Sequence, residues 1–293
     1  MDLSSSKTIK ELLAKYETKP SKGMGQNFLV NKSVLKKITE SADLKSKDTV
    51  LEIGPGIGTL TAELANVVKK VIAVEKDRYM CQILKETLKD YKNIKIINDD
   101  ILKIENYKIK NYKVVANIPY YLTSPLIRKF LETKYPPEFM MLMVQKEVAQ
   151  RICANPPSPP TNFVEHETHK KIKKTHDPKL VGGKMSILAV SVQFYATAKI
   201  ISYVKKENFW PKPKIDSAII KITPHKNIPP LSAELFFKIV KAGFSQPRKQ
   251  LGNNLAKILK LDKQKINLWL SKNKIEPAQR AETLSVDDWI NLT

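Results

Sequence analysis

Apolar positions change their period several times along this chain. Residues 50–53 (VLEI), 71–75 (VIAVE), 94–97 (IKII) and 113–116 (KVVA) are short, nearly continuous apolar runs. Strands buried on both faces of a parallel sheet have this pattern. Between the runs the spacing turns helical: Leu60, Leu64 and Ala65 follow the first, and residues 79–88 follow the second. Alternation of this kind from 49 to 145 predicts a parallel sheet with helices on both faces. Ahead of it, residues 8–16 predict a short amphipathic helix, and residues 31–42 a second one capped by Asn31. Beyond it, residues 184–196 predict a helix, and residues 200–204 and 218–222 the last two strands, a hairpin at the sheet edge. Residues 224–230 read as a linker. The rest has helical spacing and no strand signal (Leu235, Phe236, Ile239; Leu255, Ile258; Ile266, Trp269). The expected division is therefore an α/β domain over 1–228 and a small all-helical domain over 229–293.

The first apolar run leads into Gly54, Gly56 and Gly58. Glycine lets a backbone turn sharply and press close to a ligand, and the helix end just beyond presents free N–H groups. An ordinary strand–helix turn would use glycines too. The second run ends in Glu75, roughly twenty residues further on, where an acid can accept hydrogen bonds from both ribose hydroxyls of a nucleoside. A dinucleotide and S-adenosylmethionine both fit that spacing. The G-x-G-x-G order preceded by Glu52 matches the first motif of methyltransferases that use S-adenosylmethionine. Gly54 and Gly56 would then floor the cofactor crevice. Asp100, near the end of the third strand, is placed to bond the adenine amine, with Asp99 read as a turn residue. Residues 20–29 (PSKGMGQNFL) fit neither helix nor strand, and predict a loop that folds over the pocket with Gln26 and Asn27 to offer.

The fourth run leads directly into Asn117-Ile118-Pro119-Tyr120. A turn of the N/D-P-P-Y/F type after a fourth strand is the mark of methyltransferases acting on planar amines. The lone pair of such an amine is delocalised into the ring, so it is a poor nucleophile. The Asn117 side-chain oxygen and a backbone carbonyl can accept both amine hydrogens and hold the nitrogen in line with a methyl group. Tyr120 offers a face on which an extruded base can stack. A plain strand-ending turn with a core tyrosine is the competing reading.

The stretches 25–29 (GQNFL), 51–61 (LEIGPGIGTLT), 74–77 (VEKD) and 117–125 (NIPYYLTSP) resemble the ribosomal RNA adenine dimethyltransferases. So do 142–152, 209–219 (FWPKPKIDSAI), 244–255 (FSQPRKQLGNNL) and 280–285, which favour the small-subunit enzyme over the large-subunit resistance methylases. The resemblance implies a Rossmann-like methyltransferase sheet and dimethylation of two adjacent adenines near the 3′ end of 16S rRNA. It also implies a part in small-subunit biogenesis. Residue by residue, it implies cofactor contacts from Asn27, Leu29, Gly54, Glu75, Asp100 and Asn117. Phe209 would be a second aromatic sandwiching the base against Tyr120, although a core phenylalanine before a proline bend fits equally well. Lys212 and Lys214 would reach RNA phosphates. Residues 155–183 depart from the family in length and read as a flexible basic surface loop. Pro247 departs from a usual arginine.

Composition sharpens this picture. Among 293 residues, 51 Lys and Arg stand against 29 Asp and Glu, a formal charge of +22 that suits a polyanionic partner. Lys238, Lys241, Arg248, Lys249 and Lys257 offer a basic face on the helical domain. Cys81 and Cys153 form no metal or disulfide spacing. His166, His169 and His176 have no cysteine beside them, so no metal is expected. No apolar run reaches membrane-spanning length, and residues 1–10 lack a signal-peptide core. The expectation is a cytoplasmic monomer.

Overall fold

The computed structural model describes residues 1–104, 109–156 and 181–293. The expected insertion 155–183, with its three histidines, lies outside them except at its ends. The chain forms two compact units: Met1–Ala149 with Tyr195–His225, and Gln150–Phe194 with Lys226–Thr293. The described residues 150–156 and 181–194, which the sequence places with the first domain, thus group with the C-terminal helices.

The first unit is built on seven strands: β1 (Thr49–Ile53), β2 (Lys70–Glu75), β3 (Ile94–Asn98), β4 (Tyr112–Asn117), β5 (Met140–Gln145), β6 (Ala196–Val204) and β7 (Ser217–Pro224). Their order is β3-β2-β1-β4-β5-β7-β6. The first five run parallel, and β7 lies antiparallel between β5 and β6. The order reverses direction between β1 and β4, and at such a point in an open sheet the crevice beyond the strand ends receives ligands. Helices α1 (Ser6–Lys15), α2 (Lys32–Ala42), α3 (Thr59–Ala65), α4 (Arg78–Thr87) and α5 (Thr123–Leu131) belong to this unit. Asn31 caps α2 as expected, its Oδ1 accepting from Ser33 N–H and Val34 N–H at 2.8 and 3.2 Å. Helix α1 buries Ile9, Leu12 and Leu13 in a cluster with Phe28, Ile57, Met80 and Ile83. It is tied to α4 by Lys15 and the Tyr16 hydroxyl, 2.7 and 2.6 Å from Glu86.

Helix α6 (Lys146–Ile152) follows β5, and α7 (Ile187–Tyr195) precedes β6. The predicted 184–196 helix and 200–204 strand both need correction here. Strand β6 starts at Ala196, directly after α7, and its buried Ala196, Ala198 and Ile200 alternate with exposed Thr197 and Lys199. Small apolar residues at both periods let the helix pattern run on into the strand when only the sequence is read. The last two strands pair antiparallel, with an irregular register at Ile219/Ile220, but β7 lies inside the sheet and only β6 forms the edge.

The second unit contains α8 (Ala233–Gly243), α9 (Leu251–Leu259), α10 (Lys263–Lys272) and α11 (Val286–Asn291). The buried Asn254 ties α9 to the end of α8 through Gly243 O and Gln246 O at 2.7 and 3.0 Å. Trp289 is fully buried, its ring 5.6 Å from that of Phe244. Ser285 and Asp288 close a capping box at the start of α11. A short parallel pair, Ala154–Asn155 with Val181–Gly182, also lies here. Both cysteines are buried, and burial pushes the Cys81 thiol up to about 11 and the Cys153 thiol up to about 12. Among the described residues, no helix is long and apolar enough to cross a membrane, and no His/Cys/Asp/Glu group could hold a metal ion.

Candidate active site

A crevice opens at the carboxyl ends of β1, β2 and β4, and its floor is the glycine turn. Gly54, Gly56 and Gly58 take φ of +64°, +61° and +91°, which side chains rarely adopt. A Cβ on Gly56 would stand 3.1 Å from the Phe28 ring, so the turn is backed by packing as well as bent. Phe28 and Leu29 are held there by a two-residue antiparallel pairing with Trp210 and Phe209.

Glu75 ends β2, almost wholly buried. Its two carboxylate oxygens accept from Asp77 N–H at 2.9 Å and Gly56 N–H at 3.1 Å. Burial pushes its pKa above the usual carboxylate value, and those backbone donors oppose the shift. Asp100 stands across the crevice. Its Oδ1 accepts from Leu102 N–H at 3.0 Å, and its Oδ2 lies 3.0 Å from Lys76 Nζ, which holds its carboxyl below the usual range.

Asn117 ends β4. Its Nδ2 donates to Asn27 O at 3.2 Å, which turns Oδ1 away from that carbonyl. Among the described residues no donor reaches Oδ1. In the turn beyond, Pro119 O accepts from Leu122 N–H at 2.9 Å, and among the described residues no donor reaches the Ile118 carbonyl. Tyr120 lines the crevice with its hydroxyl 2.9 Å from the buried Ser217 Oγ at the start of β7. Phe209 also lines it, yet is only 4% exposed and packs in the core with Leu29, Met143 and Ile219. Phe209 is thus a core phenylalanine that also borders the crevice.

Glu52, inside the first apolar run, lines the crevice and is buried, and its Oε2 has no hydrogen-bond partner among the described residues. Burial pushes its carboxyl up to about 8, helped by the charge of Glu75 and opposed by the Thr61 hydroxyl. An unpartnered buried carboxylate is costly, and a cationic group in the crevice would compensate it.

The family model for ribosomal RNA adenine dimethylase matches residues 18–161 and 166–293. The chain belongs to this family. Ribosomal RNA small subunit methyltransferase A of Dehalococcoides mccartyi (strain CBDB1) is 43% identical over 289 residues, covering 97% of this chain and 90% of the relative. Its namesake in Alkaliphilus oremlandii is 38% identical over 299 residues, covering 98% and 95%. Among solved structures, a dimethyladenosine transferase from Plasmodium falciparum is 27% identical with a TM-score of 0.71, covering 90% of this chain and 95% of that one. The 23S rRNA methyltransferase ErmE is 25% identical with a TM-score of 0.68, covering 91% and 98%. The sheet is accordingly the Rossmann-like sheet of methyltransferases, and the protein is an adenine dimethylase of ribosomal RNA.

For this dimethylase the structure brings Asn27, Leu29, Gly54, Gly56, Glu75, Asp100, Asn117, Tyr120 and Phe209 to one crevice. Asn27 faces it through a loop stitched to itself, its Nδ2 donating to Gly25 O at 3.0 Å. Asp99 and Tyr121 line it as well, Tyr121 being half exposed. Lys212 is engaged, 2.8 Å from Glu207. The five basic residues singled out on the helical unit are all exposed.

Proposed function

We propose that the protein transfers methyl groups from S-adenosylmethionine to the exocyclic amines of two adjacent adenines near the 3′ end of 16S rRNA. The amide of Asn117 carries this reading. Its nitrogen is pinned to Asn27 O, so its oxygen is left to accept an amine hydrogen, and the Ile118 carbonyl is placed to accept the second. Held so, the amine nitrogen keeps its lone pair out of the ring and aimed along the crevice. Tyr120, fixed at its hydroxyl by Ser217, would offer one ring face to the flipped base, with Phe209 lining the same crevice as the second aromatic.

Bound S-adenosylmethionine supplies the electrophilic methyl. The residues present fit it. Glu75 would hold the ribose hydroxyls, Asp100 the adenine amine, and the unpartnered Glu52 oxygen complements a cation. Asn27 and Leu29 close the crevice from the loop side, and the bare glycine backbone lets the cofactor lie close. No strong base is needed, because the methylated amine sheds its proton readily. The helical unit, with its exposed Lys238, Lys241, Arg248, Lys249 and Lys257, would dock rRNA as part of small-subunit biogenesis in the cytoplasm, with the protein acting as a monomer.

The likeness to ErmE favours a second reading, methylation of large-subunit rRNA. Primer extension across both rRNAs, with and without the protein, separates them. Stops at two adjacent 16S adenines are expected, and a stop confined to 23S rRNA would overturn the assignment.

A further inference from the structure

The loop 21–27 touches both ends of the crevice through two neighbouring residues. Asn27 offers its carbonyl to the Asn117 amide, at the end where the amine would sit. Gln26 reaches the other end: its Nε2 donates to Asp77 Oδ2 at 2.9 Å. Asp77 is no free surface acid. Its backbone N–H holds one oxygen of Glu75, and its Oδ1 caps α4 through Tyr79 N–H at 2.9 Å. Gln26 also stiffens the loop that carries it. Its Oε1 accepts from Ser21 N–H at 2.8 Å while its own N–H donates to Ser21 O at 3.1 Å, so the loop closes on itself. Gly25 turns the chain at φ +61° just before the two contacts. A surface loop with solvated amides would have no reason to use both ends of one glutamine this way.

We infer that Gln26 is a positioning residue for methyl transfer: clamped on Asp77, it fixes the Asn27 carbonyl that turns the Asn117 oxygen toward the amine. The Asp77 backbone holding the ribose acid and the amide holding the target are thereby braced against each other across two residues of one loop. This rests on the crevice being the cofactor site, as proposed above.

The test uses the full chain with Gln26→Ala, Gln26→Glu and, as a control, Glu75→Ala. Affinity for S-adenosylhomocysteine is read by calorimetry, thermal midpoint by scanning, and kcat and KM on undermethylated small subunits. Gln26→Ala should lower kcat about 10-fold and weaken S-adenosylhomocysteine binding by a smaller factor. KM for the subunit and the thermal midpoint should stay near the parent values. Gln26→Glu should lose more than Gln26→Ala at pH 7.5, because it sets an acceptor against the Asp77 oxygen that Gln26 Nε2 now donates to. The proposal is overturned if Gln26→Ala keeps the parent kcat, if its losses track a matching fall in thermal midpoint, or if Gln26→Glu keeps the parent kcat. Should Glu75→Ala also bind S-adenosylhomocysteine as the parent does, the crevice reading itself falls and this inference with it. If Glu75→Ala loses affinity while Gln26→Ala keeps the parent kcat, only the role of Gln26 is refuted.

Discussion

Asn117 is the residue on which methyl transfer turns. With its nitrogen bound to Asn27 O, truncation removes an acceptor used at the reacting amine and little that holds the fold. Asn117→Ala should lower kcat by about 10²–10³, the usual loss for one aligned polar group, while S-adenosylhomocysteine binding largely survives. Methyl incorporation into undermethylated small subunits, with calorimetry alongside, reads both. Glu52 sets a pH dependence. Its carboxyl is pushed up to about 8, so it is protonated in the unliganded crevice at neutral pH. A cationic ligand selects the ionised form, so affinity for S-adenosylmethionine should rise with pH up to about 8 and then level off. Glu52→Gln should flatten that slope, and an unchanged slope would show that another group titrates. In the absence of ligand the sign is opposite for folding. The folded state binds a proton that the unfolded chain, at 4.5, has released, so this group's contribution to stability falls as pH climbs from 4.5 to about 8.

At the scale of elements, the glycine turn and the α8–α11 packing have steep dependences. Gly56→Ala adds a Cβ 3.1 Å from Phe28 at a φ of +61°, and should cost about 1–3 kcal/mol and weaken cofactor binding. Gly243→Ala would bring a Cβ within 2.4 Å of the Trp289 ring, a clash with a fully buried side chain. Denaturant unfolding should show a loss of about 1–3 kcal/mol with no change in S-adenosylhomocysteine affinity, since Gly243 lies in the other unit. These elements also show what can be read in a sequence. The β1–turn–α3 run was legible because strand, glycines and helix are contiguous and each obeys a local rule. Glu75 was legible from a fixed spacing, and Asn117–Tyr120 from a local turn. The partners that tune the site were not, because they meet across the fold: Ser217 lies 97 residues from Tyr120, and Asp77 lies 51 from Gln26. Glu52, an acid inside an otherwise apolar strand, was legible as part of the glycine motif. That its oxygen lacks a partner is a fact of packing alone.

Across the whole molecule, a charge of +22 acts at long range. Binding of the rRNA substrate should weaken steeply with salt, log K falling linearly with log salt by about 0.7–0.9 for each phosphate neutralised. Exchanging Lys238, Lys241, Arg248, Lys249 and Lys257 for glutamine should make that slope shallower by several units and leave cofactor affinity alone. An unchanged slope would move the docking face elsewhere on the chain.

The two cysteines have a practical corollary. Both thiols are shielded and held un-ionised, at about 11 and 12, so neither should react with maleimides in the native protein. A single cysteine placed at an exposed site such as Leu268 could then carry a fluorophore without removing the native pair, allowing the protein to be followed on ribosomal particles one molecule at a time.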